Sequence, residues 1–226
     1  PLHFEPRLVD VHVDKETIDK AFTAFQEQAA LSDEEADALN RKSAKMAAFL
    51  KAPERVAKIV ADIAEHYKEK VQPYGFKAMI VTPDRYACVQ YKEELDQYFP
   101  PEASTVVMST SANDSKEFKQ KWGMDKGKQE QIVDEFNDAT SELKFVIVTA
   151  KLLTGFDAPN NIVLYLTRKL IGHTLLQAIA RVNRVSPDKD YGYIIDYYGV
   201  LEELDSALKT YSTFEDFDEE QLEGTL

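Results

Sequence analysis

The stretch that decides the fold is "KAMIVTPDRYACVQYKEEL" (Lys77–Leu95). Its first six residues are almost continuously apolar, and they do not alternate with polar residues. This pattern is typical of a strand that is buried on both faces, as in a parallel sheet covered by helices. Asp84 stands where a helix should open, and the residues from Asp84 to Phe99 are predicted to form it. A strand that leads directly into a helix is the repeating unit of α/β domains.

The same alternation of apolar runs and helices continues to the end of the segment. The further strand candidates are "TVVMS" (Thr105–Ser109), "FVIVT" (Phe145–Thr149), "IVLYL" (Ile162–Leu166) and "GYIID" (Gly192–Asp196). The helices between them are predicted at "GKQEQIVDEFND" (Gly127–Asp138) and "TLLQAIARVNR" (Thr174–Arg184), which we call the arginine segment. The pattern predicts an α/β, doubly wound domain whose mostly parallel sheet is sandwiched by helices. Ligands of such sheets bind at the carboxyl ends of the strands, so function is expected in the loops after Thr82, Ser109, Thr149 and Leu166.

The chain before this region is predicted to be helical. Helical spacing of apolar residues runs from Asp14 to Val71, with Pro53 near the first turn of the third helix. Within it, "DEEAD" (Asp33–Asp37) follows Ser32 and no β-rich run precedes it, so we interpret Ser32 as an N-cap and the acids as first-turn charges. We therefore predict a helical lead-in (1–72), an α/β lobe (73–212) and an acidic tail (213–226).

Composition and charge restrict the possible classes of protein. The 226 residues carry a formal charge of −13, but the last 26 residues contribute −8 of it, so the net charge does not decide for or against nucleic acid. No apolar run is long enough for a membrane span and no export signal is visible, so we expect no membrane contact and a cytoplasmic location. The single cysteine, Cys88, is expected to fill the core, and no zinc-ligand spacing is present, so we expect no metal site in this chain.

The arginine segment has two faces. At about 100° per residue, Gln177, Arg181 and Arg184 fall within roughly 60° of one another, whereas the apolar residues Leu175, Ile179 and Val182 define the opposite stripe. Thr174 and Gln177 also have the spacing of a capping box. The segment is therefore predicted to be an anchored helix with one narrow polar and cationic face.

A second motif lies upstream, in "VTAKLLTGFDAPN" (Val148–Asn160). The chain leaves a buried strand at Thr149, turns through Gly155 and then presents the carboxylate of Asp157. Such a carboxylate can accept a hydrogen bond from a ribose hydroxyl. Taken alone, such a motif is more often a plain turn.

The two motifs together resemble motifs V and VI of superfamily 2 helicases, and Lys77–Leu95 takes the place of motif IV. "LLTGFDAP", "HTLLQAIARVNR" and the following "YGYIIDYYG" resemble the motor (R) subunit of type I restriction enzymes, specifically the second RecA-like lobe of its helicase core. The resemblance covers roughly Gly75–Leu208. Ala180 stands where many helicases of the wider superfamily have glycine, and neither arginine is affected by this difference.

The resemblance implies a role in ATP hydrolysis. ATP would bind between two RecA-like lobes, with Mg²⁺ held mainly by the first lobe, and no phosphate loop is present in this chain. Arg181 and Arg184 would be the catalytic arginine fingers, because a guanidinium offers several donors in a fixed fork to the γ-phosphate. Gly155, Asp157 and Gln177 would contact the nucleotide. The alternative is that both arginines pair with surface carboxylates.

The resemblance also implies contacts with double-stranded DNA. Thr82, Arg85, Thr149 and Lys151 would bind phosphates without reading bases, as translocation requires. The implied protein partners are the first lobe and the nuclease domain of the same subunit, together with methyltransferase and specificity subunits. The isolated chain is expected to be inactive. Two other hypotheses remain open: a lobe of another superfamily 2 helicase, and a non-catalytic RecA-like interaction module.

Overall fold

The computed structural model describes residues 2–7, 46–112, 114–149, 160–170, 174–175, 177–178, 182 and 192–198. The described strands are β1 (Leu2–Pro6), β2 (Lys77–Thr82), β3 (Ser104–Val107), β4 (Phe145–Thr149), β5 (Asn161–Leu166) and β6 (Gly192–Asp196). The described helices are α1 (Pro53–His66), α2 (Arg85–Leu95), α3 (Lys116–Trp122) and α4 (Lys126–Asn137). Residues 46–50 are also helical.

The six strands form one sheet in the order β1-β6-β5-β2-β4-β3, and every neighbouring pair is parallel. β2 lies between β4 and β5 and is buried along its whole length. Because all the strands run the same way, their carboxyl ends meet at one edge of the sheet. We call the edge at which β2, β4 and β5 end the carboxyl edge.

Each face of the sheet carries its own apolar cluster, because successive side chains of a strand point to opposite faces. On one face, Met79 and Val81 of β2 pack with Phe136 of α4 and with Leu175 and Val182 of the arginine segment. On the other face, alternate strand residues pack with the apolar stripes of α1 and α2, namely Val56, Ile59, Val60 and Ile63 of α1 and Cys88, Tyr91 and Leu95 of α2. The sheet is thus covered on both sides.

The fold class predicted from the sequence is confirmed: the chain is an α/β protein with a parallel sheet between helices. β2, β4 and β6 have the predicted bounds, and β5 begins one residue earlier than predicted. The third strand was predicted too far along the chain, since it ends at Val107. Cys88 fills the core as expected, and burial raises the pKa of its thiol to about 12.

The N-terminal part of the chain differs from the prediction at two points. Leu2–Pro6 forms the edge strand β1, although the region 1–72 was predicted to be helical. The third predicted helix ends at His66, and a π-helical turn (Tyr67–Val71) follows it. The first two predicted helices and the acidic tail lie outside the described residues, and the proposed domain boundaries stay predictions.

A partly buried polar network connects the end of β1 with α1 and with the residues after β6. The Arg7 guanidinium donates to both oxygens of Asp62 on α1, at 2.8 and 2.9 Å, and the Tyr197 hydroxyl donates to the same carboxylate. The Arg7 N–H also continues the strand pairing by donating to the Asp196 carbonyl at 2.8 Å. Polar contacts of this kind fix the edge strand to the sheet where a short strand alone would hold weakly.

Candidate nucleotide and nucleic-acid site

Three threonines stand side by side at the carboxyl edge. Thr82 of β2 is in register with Thr149 of β4, and Thr167 follows directly after β5. The Thr167 N–H and hydroxyl both donate to the Val81 carbonyl, at 3.0 and 2.9 Å. The loops after these three strands therefore leave the sheet as immediate neighbours, which is the arrangement expected for a ligand site in a parallel sheet.

The two threonines predicted to contact DNA differ in exposure. Thr82 has 0% relative exposure, and its hydroxyl donates to the Asp84 carbonyl at 3.1 Å and lies 3.0 Å from Cys88 Sγ. Thr149 is half-buried. The Thr82 hydroxyl forms its hydrogen bonds within the chain and so fixes the turn into α2. The Thr149 side chain, by contrast, is partly accessible to solvent.

Asp84 begins α2, as the sequence predicted. Its carboxylate accepts a hydrogen bond from the Ala87 N–H at 2.8 Å and so caps the helix, while its other oxygen pairs with Lys51 at 2.8 Å. A capping carboxylate stabilises the first turn, where backbone N–H groups have no partner within the helix. The cap fixes the position of the next residue, Arg85.

Arg85 is held by a two-pronged ion pair with Asp114, in the loop that follows β3. One guanidinium nitrogen donates to Asp114 Oδ1 at 2.9 Å and the other to Oδ2. The ring of Phe118 lies below the guanidinium, 5.8 Å from its centre. Hydrogen bonding to Arg85 lowers the pKa of Asp114 from its ordinary value, so the carboxylate stays charged. Arg85 is thus positioned at the carboxyl edge but already has an anionic partner.

The structure adds Arg168, a residue that sequence reasoning missed. Arg168 comes two residues after β5, is half-buried, and donates from its guanidinium to the Pro83 carbonyl at 3.2 Å. It therefore bridges the loops after β5 and β2. The signal was present in the sequence, since the loop after Leu166 was expected to be functional, but no spacing singled out this arginine.

The arginine segment is described at five residues, all of them helical: Thr174, Leu175, Gln177, Ala178 and Val182. The side chains of Leu175, Ala178 and Val182 are fully buried in the same apolar cluster as the strands. Leu175 and Val182 belong to the predicted apolar stripe, so their burial agrees with that prediction. Gln177 is half-buried. The segment also approaches β6 closely: a Cβ on Gly192 would lie 2.2 Å from the Val182 carbonyl oxygen.

The remaining predicted site residues lie outside the described residues. They are Lys151, Gly155, Asp157, Arg181 and Arg184. Ile179 of the predicted apolar stripe is also among the residues left undescribed. Within the described part of the chain, no group of three metal-ligating side chains is present, and no helix is long and apolar enough to cross a bilayer.

Comparison with known proteins identifies the family. Residues 13–199 match the family model described as type I restriction enzyme subunit R domain 3. The chain belongs to this family. It is 35% identical over 214 residues to a protein of Methanocaldococcus jannaschii described as the type I restriction enzyme MjaIXP endonuclease subunit, a match that covers 94% of the chain and 20% of that protein. It is also 35% identical over 199 residues to the type I restriction enzyme HindI endonuclease subunit of Haemophilus influenzae, covering 83% of the chain and 18% of the relative.

This R-subunit domain has the fold of a solved relative. The fragment structure described as an HsdR subunit of a type I restriction enzyme from Vibrio vulnificus superimposes with a TM-score of 0.55 at 16% identity, over 88% of the chain and 32% of that structure. The chain spans about a fifth of the length of the curated relatives it matches. The family predicted from the arginine segment and "LLTGFDAP" is confirmed.

Proposed function

We propose that this chain is the second motor lobe of the ATP-dependent DNA translocase of a type I restriction system. The observation that carries the proposal is the anchoring of the arginine segment, whose side chains Leu175, Ala178 and Val182 are buried against the sheet. If the helix continues with the predicted periodicity, Gln177, Arg181 and Arg184 would share a face directed away from the apolar cluster. An anchored helix that would offer two arginines away from the core suits a group that acts on a partner lobe.

ATP would be contacted by Arg181, Arg184 and Gln177, with Gly155 and Asp157 in the neighbouring loop. When bound, ATP supplies the phosphoryl group that is transferred to water, and Mg²⁺ would be held mainly by the first lobe. The chemistry of the donor set fits the nucleotide, because planar guanidinium groups match the charge that spreads over the γ-phosphate oxygens. The arginines themselves would bind and orient these oxygens.

DNA would lie along the carboxyl edge. Thr149, Lys151 and Arg85 would contact phosphates, and Arg168 joins them as a cation at the same edge. Thr82 would contribute by fixing the start of α2, since its hydroxyl is used within the chain. Contacts of this kind hold the duplex without reading its sequence.

The test is Arg181→Ala in the complete R subunit. We expect DNA-stimulated ATP hydrolysis to fall by about 10³-fold or more, as for arginine fingers in other phosphoryl-transfer enzymes. Lys70→Ala, an exposed residue shortly before β2 and so near the opposite edge of the sheet, is the control and should keep normal turnover. Normal turnover in Arg181→Ala with an intact fold would favour a non-catalytic interaction module.

We also expect the isolated chain to show no DNA-stimulated ATPase, and steady turnover by the purified chain would contradict the two-lobe arrangement.

A further inference from the structure

A short basic region stands out in this acidic chain. Residues 116–128 contain five lysines and only two acidic residues, whereas the whole chain carries a net charge of −13. We call the five lysines the lysine patch: Lys116, Lys119 and Lys121 on α3, which packs on the α1 and α2 side of the sheet, and Lys126 and Lys128 in the first turn of α4, which packs on the other side. Four of them are exposed, and Lys126 has 91% side-chain exposure.

The lysines of α3 form no side-chain ion pair within the described part of the chain, although Lys119 lies close enough to Asp114 to help lower the pKa of that carboxyl. The ion pairs there include none to Lys116, Lys119, Lys121 or Lys128, and Lys126 has only a distant partner, Glu130, at 3.9 Å. Lys119 donates to a backbone carbonyl, that of Ala112, at 2.7 Å. The three lysines and one acidic residue of α3 therefore leave this helix with an excess of positive charge.

Helix stability does not account for the lysines of α4. Cations in the first turn of a helix are unfavourable, because the unpaired N–H groups there already carry partial positive charge. The first turn of α4 contains Lys126 and Lys128 and no acidic residue, with the cap supplied by Asp125. An anionic partner would remove this unfavourable interaction.

The patch is held rigidly and is continuous with the carboxyl edge. Phe118 and Trp122, one turn apart on α3, pack inward against the apolar cluster of α1 and α2. Phe118 also packs against Tyr86 of α2 in a tilted arrangement, at 5.3 Å between ring centres, and lies under the Arg85 guanidinium. α3 follows the loop after β3, which carries the Asp114 partner of Arg85. The lysines of α3 thus lie on an element that packs next to the Arg85–Asp114 pair at the carboxyl edge.

We propose that the lysine patch is a second DNA-binding surface, which binds the sugar-phosphate backbone of a duplex beyond the carboxyl edge. Exposed ammonium groups on a rigid helix suit phosphates, while the inward packing of Phe118 and Trp122 leaves them unavailable for base stacking. Duplex backbone is therefore the occupant, and single strands are not. This inference rests on the proposed function, because it extends the DNA path of the motor lobe.

The experiment compares two double variants of the complete R subunit. Lys116→Gln with Lys121→Gln removes two charges from the patch. Lys68→Gln with Lys70→Gln removes two exposed charges from the turn after α1, near the opposite edge of the sheet. The pairs are matched further, since Lys121 lies 4.9 Å from the Trp122 ring centre and Lys68 lies 4.9 Å from that of Phe99. Affinity for a short fluorescent duplex of mixed sequence is measured by anisotropy without nucleotide, over a range of salt concentrations.

We expect the patch variant to weaken duplex binding by at least about tenfold at about 0.1 M salt, and to reduce the slope of log affinity against log salt by about 2, since each phosphate contact contributes about 0.9. The control variant should differ from the parent by less than about twofold in affinity. Equal affinities and slopes for the two variants would overturn the proposal. So would a loss that appears with a single strand of the same length and not with the duplex.

The outcome for the patch is separable from that for the motor. ATPase of the parent subunit and of Arg181→Ala is measured on the same preparations. If Arg181→Ala loses turnover while the patch variant keeps parental binding, only the patch is refuted. If the parent binds no duplex and Arg181→Ala keeps normal turnover, the proposed function fails together with the patch.

Discussion

Replacing Gly192 by alanine should disturb the packing of the arginine segment against β6. A Cβ at this position would lie 2.2 Å from the Val182 carbonyl oxygen and 2.7 Å from its carbon, and real Cβ atoms essentially never approach closer than 3.0 Å. The arginine segment and β6 must therefore separate by roughly 1 Å. Overpacking of this kind typically costs about 1–3 kcal/mol, because neighbouring elements have to shift. We expect the free energy of unfolding of the chain to fall by that amount.

The displacement of the arginine segment should also slow ATP hydrolysis by the complete subunit. A shift of about 1 Å in a catalytic group can cost about 10²-fold in rate even when the substitution lies away from the reacting atoms. Gly192→Ala in the complete subunit is thus expected to lower DNA-stimulated ATP hydrolysis by up to about 100-fold. Urea unfolding of the chain, followed by circular dichroism, and ATPase assays of the subunit measure the two effects.

Gly127→Ala is the matched control. Gly127 lies in the first turn of α4, and the nearest atom to an added Cβ is the Asp125 side chain at 3.5 Å, an ordinary contact. Alanine should leave stability unchanged or raise it by up to about 1 kcal/mol, because it favours the helix more than glycine does. If Gly192→Ala is as stable as Gly127→Ala, the close approach of β6 to the arginine segment is refuted.

Three further predictions concern the carboxyl edge, the amino end of β2 and the arginine segment. Thr149→Val should weaken duplex binding by the complete subunit several-fold, which is about the effect of one hydrogen bond. Thr82→Val should instead lower the free energy of unfolding by about 1 kcal/mol and leave duplex affinity near that of the parent. Equal losses of affinity in the two variants would mean that DNA reaches Thr82. Burial lowers the pKa of Lys77 from 10.5 to about 8, so the unfolded chain binds more protons between these values and stability should rise with pH there. Between pH 8 and 10 the rise is about 1 kcal/mol after allowance for solvent screening, and Lys77→Met, measured by urea unfolding at both pH values, should abolish it. Arg184→Lys in the complete subunit should impair ATP hydrolysis, because lysine keeps the charge but loses the planar fork of hydrogen-bond donors. The free energy of unfolding should stay within about 0.5 kcal/mol of the parent, and DNA affinity should not change. Near-normal ATP turnover would contradict the assignment of Arg184 as an arginine finger.

The central part of the fold could be predicted because its signals are local. β2 is a continuous apolar run closed by Thr82, and Asp84 two residues later is a helix cap, so strand, turn and helix are specified within a few residues. β1 could not be predicted in this way. Its pairing with β6 links residues 190 positions apart, and its attachment depends on Asp62 accepting hydrogen bonds from both Arg7 and Tyr197, which no local pattern reveals.

The candidate site likewise contains features that local sequence predicts and contacts that depend on the tertiary arrangement. The apolar stripe of the arginine segment follows from periodicity, and the burial of Leu175 and Val182 confirms it. The partners of Arg85 could not be predicted, because Asp114 lies in a separate loop that only the arrangement of β2, β4 and β3 brings close. The same reason applies to Arg168, whose contact with Pro83 arises from the pairing of β5 with β2. Sequence patterns identified the strand ends but not which side chains meet across them.

The segregation of charge reconciles an acidic chain with a DNA-binding role. Phosphate contacts depend on cations within a few ångströms, since exposed charges separated by more than about 8–10 Å are largely screened at physiological salt. The net charge of −13 is therefore a poor guide, because −8 of it belongs to the last 26 residues, while residues 116–128 carry an excess of three positive charges. Arg168 adds a cation after β5, whereas the charge of Arg85 is balanced by Asp114. What decides the interaction with a duplex is the local sign of the surface, and on α3 three lysines outnumber the single acidic residue, Glu117.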